Sequence, residues 1–197
     1  MNERDSLVEL VETMARLRAE CAWKREQTHR SLARYLVEET HETLEAIDSG
    51  DMAHLREELG DLLLQVYFHA AIAAESGDFD IRDVAGDLNA KLVRRNPHVF
   101  GDSTATHPDE INDAWEQIKF TEKKRATPVE GIPTSLPALL YADKVVDRMR
   151  RAGRPVRAET GDVGSRLLAL VVEAHDAGLD PEQALRDAVR RALPAAE

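Results

Sequence analysis

The sequence predicts an all-α fold, a bundle of four or five helices followed by a short helical C-terminal extension. Three observations predict it. Apolar residues recur at helical spacing over most of the chain, helix-capping residues stand where those patterns begin and end, and no β-type alternation of any length occurs. Leu7, Leu10, Val11, Met14 and Leu17 mark a first amphipathic helix, and Cys21 to Gln27 reads as a linker. Thr28 caps a second helix running to about Ser49, with an apolar stripe of Ala33, Leu36, Val37, Leu44 and Ile47 from which Glu38, Glu42 and Glu45 project away. The third helix runs from about Met52 to Glu75 and stops at Ser76-Gly77. From Leu62 onward it is apolar on nearly every side, so it needs cover from several directions. That predicts a homo-oligomer, a dimer or a tetramer.

Asp80 caps a fourth helix bearing Val84, Leu88 and Leu92, which ends before Asn96-Pro97. A loop from Pro97 to Pro108 leads to a helix over about Asp109 to Arg125 with Trp115 and Lys119 on one face. Three prolines between Thr127 and Pro137 mark a linker. The expected organisation is a helical domain over 1–126, a linker over 127–136, and a second, shorter helical region over 137–197.

Composition narrows the function. The 197 residues are 43% hydrophobic and 32% charged, as in a globular protein, and carry a formal net charge of -11. An acidic chain lacks the basic stripes that duplex nucleic acid requires, and a membrane-surface role is disfavoured for the same reason. Cys21 is the sole cysteine, which excludes an intrachain disulfide and a thiolate metal cluster. The N-terminus has no apolar signal region, and the longest apolar stretch, Leu62 to Ala74, is interrupted by Gln65 and His69. A soluble, cytoplasmic protein is expected.

The chemistry lies in two carboxylate clusters, Glu38-Glu39-Thr40-His41-Glu42 and Glu57-Glu58-Leu59-Gly60-Asp61. In an antiparallel hairpin centred on Gly50, position 39 faces 61 and 42 faces 58. Each helix presents its two acids three residues apart, on one side. Acidic helix faces are usually just solvated, but that account gives no reason for acids in mirror register, where like charges repel by a few tenths of a kcal/mol per pair. A cation among them resolves the repulsion, and an all-oxygen set suits Mg2+ or Mn2+. Lys91, Arg94 and Arg95 end the fourth helix, where cations complement the helix dipole; beside a metal they would also clamp phosphate oxygens. Trp115 and Lys119 suit a nucleotide, ring on ring and ammonium on phosphate. A zinc-protease motif fails because Glu45 stands where a second histidine is needed, and no Walker-type glycine loop is present. A di-iron carboxylate reading has only Glu38-x-x-His41 and the misplaced Glu26-x-x-His29 in its favour.

Four blocks in order resemble the MazG-type nucleoside triphosphate pyrophosphohydrolases of the all-α NTP pyrophosphatase superfamily. They are Trp23 to His29, Tyr35 to Glu42, Arg56 to Val66 and Lys91 to Asp102, and the resemblance covers about residues 7 to 126. It implies Mg2+ ligation by Glu39, Glu42, Glu58 and Asp61, and nucleotide binding by Lys91, Arg95, Trp115 and Lys119. Glu38 and Glu57, beside the ligands, would orient the attacking water or hold a second metal. The implied reaction converts a nucleoside triphosphate to the monophosphate and pyrophosphate, with broad or house-cleaning specificity. The family commonly has Cys-Pro-Trp-Asp where this chain has Cys21-Ala22-Trp23-Lys24, which puts position 24 outside substrate selection as the family performs it. Leu136 to Gly153 resembles the start of a repeated domain, and Val163 to Val171 its glycine-aspartate helix with Ser165 in the acid's place. The first acidic helix of that repeat is missing, so 137–197 reads as a catalytically dead relic. The competing reading is a non-catalytic family relic whose acidic helices dock a partner.

Overall fold

The computed structural model describes residues 5–157 and 161–193; among these, every regular element is a helix. The helices are α1 (Ser6–Glu20), α2 (Ala22–Glu26), α3 (His29–Ser49), α4 (Met52–Ser76), α5 (Ile81–Arg95), α6 (Pro97–Phe100), α7 (Pro108–Lys123), α8 (Ala138–Arg151), α9 (Val163–Asp176) and α10 (Pro181–Ala192). The chain forms two compact units that divide between Ile111 and Asn112, inside α7. The ends of the expected domains, 1–4 and 194–197, and the stretch 158–160 lie outside the described residues.

In the first unit the caps do what their chemistry dictates. Thr28 accepts from the Ser31 N–H while Ser31 Oγ accepts from the Thr28 N–H at 2.9 Å, a reciprocal cap that starts α3. Asp80 and Asp83 start α5 in the same way. Gly50 ends α3 at φ 72°, a left-handed conformation that glycine adopts without a Cβ clash, and Asp51 at once caps α4 through the Ala53 and His54 N–H groups. Two long helices separated by so tight a turn must run back along each other, and α3 and α4 form the most extensively packed helix pair of the unit. Phe68 and Tyr67 of α4 close a core with Met14 of α1 and Leu32 of α3, and the Tyr67 hydroxyl donates to the Leu7 carbonyl at 3.0 Å. Arg18, only 7% exposed, ties α1 to α4 by a two-pronged pair with Glu75 and also donates to the Gln27 carbonyl.

Three local expectations are corrected. The stretch expected as a linker holds the five-residue α2, too short to leave a periodic pattern. Pro97, whose fixed φ suits the first helical position, opens the four-residue α6 inside the expected 97–108 loop. The third concerns α3. Its buried side chains are Leu32, Thr43 and Ala46, whereas Leu36, Val37 and Ile47 of the expected stripe are exposed. The face packed on α4 is therefore the one that also carries Glu39, whereas Glu38, Glu42 and Glu45 are exposed.

The second unit holds the greater part of α7 with α8, α9 and α10, the last three packed on one another around Val146 and Val171. His175 of α9 meets Asp143 of α8 at 2.9 Å, and Arg150 pairs with Asp176. Ser165 is a capping partner: its N–H and hydroxyl both donate to the Asp162 carboxylate at the start of α9. No helix among the described residues is long and apolar enough to cross a membrane.

Candidate metal centre

The α3–α4 seam brings Glu39, Glu58 and Asp61 together, with one carboxylate oxygen from each lying within 4.8 Å of the others. Glu39 reaches the seam because it lies seven residues from Leu32 and from Ala46, two turns either way along the buried face of α3. The hydroxyl of buried Thr43 donates to the Glu39 carbonyl at 2.8 Å. On α4, Glu58 and Asp61 stand three apart on one face, and Gln65 continues that face one turn further.

Glu42 joins from the side. Its carboxyl hydrogen-bonds that of Glu39, so the four acids form one electrostatic group. Desolvation first, then the charges of Asp61 and Glu42, the Glu42 hydrogen bond and the charge of Glu58, push the Glu39 carboxyl above its ordinary range. Crowding of this kind favours a bound proton or a bound cation.

A divalent cation fits these residues. Glu58 is 9% exposed, and its Oε1 meets His54 Nε2 at 3.1 Å. Its Oε2 is buried and has no hydrogen-bond partner among the described residues. An orphaned carboxylate oxygen costs a desolvation penalty that ligation removes. Buried Gln65 has the same property at Oε1. Neither His54 nor Gln65 is among the residues expected from the sequence. The signals were present: His54 stands four before Glu58, and Gln65 is a lone amide in an apolar run.

The other expected residues fall as follows. Glu38 and Glu57 are exposed, each one residue, or about 100° of helix rotation, from a clustered acid. Lys91 and Arg94 are exposed in the last turns of α5, whereas Arg95 is buried. Trp115 and Lys119 belong to the second unit; Lys119 Nζ lies 4.5 Å from the Trp115 ring centroid and donates to Glu116 at 2.7 Å. Lys24, where an acid was expected from the resemblance, lies over the Trp23 and Phe68 rings at 5.5 and 5.2 Å. His29 and His69 stack with their Nδ1 atoms 2.7 Å apart, and burial, then the nearby His29, holds the His69 pKa below its usual value.

Comparison with known proteins decides the family. Residues 27–100, which include all four clustered acids, match the MazG nucleotide pyrophosphohydrolase domain. A Thermotoga maritima protein named nucleoside triphosphate pyrophosphohydrolase/pyrophosphatase MazG is 39% identical, over 93% of this chain and 81% of the relative. The chain belongs to the MazG family. An uncharacterised 26.1 kDa protein of Streptomyces cacaoi is 49% identical, over 97% of this chain and 82% of that protein. The Escherichia coli K12 nucleoside triphosphate pyrophosphohydrolase is 43% identical over 78% of this chain. This MazG chain spans 59% of that relative's length.

Proposed function

We propose that the protein hydrolyses nucleoside triphosphates to nucleoside monophosphate and pyrophosphate at the α3–α4 acidic cluster, using Mg2+ or Mn2+. The observation that carries the reading is the convergence of Glu39, Glu58 and Asp61, with Glu58 Oε2 buried and partnerless among the described residues, inside the family-matched segment. Glu39, Glu42, Glu58 and Asp61 would hold the cation; bound there, it supplies neutralisation of phosphate charge and Lewis-acid activation of water. His54 fixes the Glu58 carboxylate from behind, as outer partners of metal ligands do. Glu38 and Glu57, beside the ligands, would orient the attacking water or hold a second metal. Lys91, Arg94 and Arg95 bind phosphate oxygens, and the cation–π pair of Trp115 and Lys119 offers a ring for the base. Catalysis on this plan is positioning plus electrostatics.

The domain reading follows. Ser165 serves as a helix cap, and among the described residues the acid trio of α3 and α4 is the one metal-type group of three, which supports a single active site in the N-terminal half. Leu36, Val37, Ile47, Leu59 and Val66 stand exposed on α3 and α4, which supports cover by a second copy of the chain in a dimer or tetramer. A cytoplasmic enzyme with broad specificity for nucleoside triphosphates completes the proposal.

Product analysis tests it. The 31P spectrum of a triphosphate turned over with Mg2+ is expected to show nucleoside monophosphate and pyrophosphate in equal amounts. Orthophosphate with nucleoside diphosphate would overturn the assignment.

A further inference from the structure

We propose that the cavity between α7, the turn after it and the end of α8 binds a small anion bearing a phosphate or diphosphate group. The cavity holds about 350 Å3, lies wholly within the second unit, and has Glu116, Phe120, Arg125, Pro128, Arg148 and Arg151 in its wall. That volume is within the range of small-molecule sites.

Three guanidinium groups border it, and their partners differ. Arg151 is neutralised by Asp147 at 2.8 Å and by Asp113. Arg148 donates to main-chain oxygens, the Glu130 carbonyl at 2.8 Å and the Pro128 carbonyl at 3.4 Å, which orient the group without cancelling its charge. The ion pairs and hydrogen bonds among the described residues do not engage Arg125. The wall carboxylates, Asp113 and Glu116, are already held by Arg151 and Lys119.

Two cations without a carboxylate of their own thus share one cavity. Burial, and after it the charge of Arg125, lowers the Arg148 pKa against weaker opposite pulls from Glu116 and Asp147. Like charges held together beside open space are relieved by an anion, and guanidinium forks match phosphate oxygens with paired donors. Phe120 is 43% exposed and adds an apolar wall. On α7 the cavity residues Asp113, Glu116, Gln117 and Phe120 share a face turned away from Trp115, and Lys119 meets that face through Glu116.

The test is calorimetric titration of the full chain with inorganic pyrophosphate in EDTA. No turnover or metal is involved, so the outcome is independent of the hydrolytic reading. The expected result is a saturable site that Arg125→Gln weakens at least tenfold and Lys91→Ala leaves intact, with circular dichroism showing both variants folded. Arg148→Lys, which keeps the charge but loses the fork, should weaken it too. ADP binding more tightly than pyrophosphate, with the excess removed by Phe120→Ala, identifies a nucleotide as the ligand; equal affinities identify the free anion. The proposal is overturned by absence of saturable binding, or by binding that survives Arg125→Gln.

Discussion

Asp61→Asn and Glu42→Gln should each lower turnover at least about a thousandfold, roughly 4 kcal/mol of transition-state stabilisation, while the helical content stays unchanged. Both substitutions keep side-chain shape and remove one negative charge. Asp61 contributes an oxygen directly to the trio, and Glu42 acts on the same group through Glu39. Neither is fully buried, so the amide does not leave an unpaired group in the core. Retained turnover in either variant would remove that residue from the site. Glu58→Gln is a weaker test, since it also unsettles the buried contact with His54.

Glu39→Gln should raise the stability of the metal-free protein and abolish its response to metal. In the wild type, desolvation and then the neighbouring carboxylates hold the Glu39 carboxyl above its ordinary range, so the folded chain binds that proton more tightly than the unfolded chain does. Protonated Glu39 therefore favours folding in acid, and that contribution is lost as pH rises through its raised pKa. Above this point the acids repel unless a cation enters. A Mg2+ or Mn2+ concentration 100-fold above its dissociation constant would add about 2.7 kcal/mol. For a chain of this size that is a Tm increase of roughly 5 to 10 °C. The increase should be greatest near neutral pH and fade in acid, where protons displace the metal. Scanning calorimetry with and without metal across pH measures it. A Tm indifferent to metal at neutral pH would contradict the site.

The α3–α4 hairpin was legible because its punctuation is local: Gly50 supplies the left-handed residue and Asp51 the next cap. The acid spacing then followed from helix periodicity. What was not legible is what long-range packing decides. Leu36, Val37 and Ile47 have the hydrophobicity of a core stripe, yet α4 packs on the face of Leu32, Thr43 and Ala46. A periodicity count weights apolar side chains and passes over a small alanine and a threonine, so it drew the stripe through side chains that stay exposed. His54 and Gln65 gain meaning only once Glu58 is seen buried with one oxygen unpartnered. The cavity of the second unit joins residues from 113 to 152, a juxtaposition that no local pattern announces.

The most direct test of the central claim is pyrophosphate release from a panel of ribo- and deoxyribonucleoside triphosphates, each assayed with Mg2+ and with EDTA. Release with Mg2+ that EDTA abolishes is the expected result, and the order of rates would rank the substrates. Folded, metal-supplied protein that releases no pyrophosphate across the panel would contradict the account and favour the partner-docking relic.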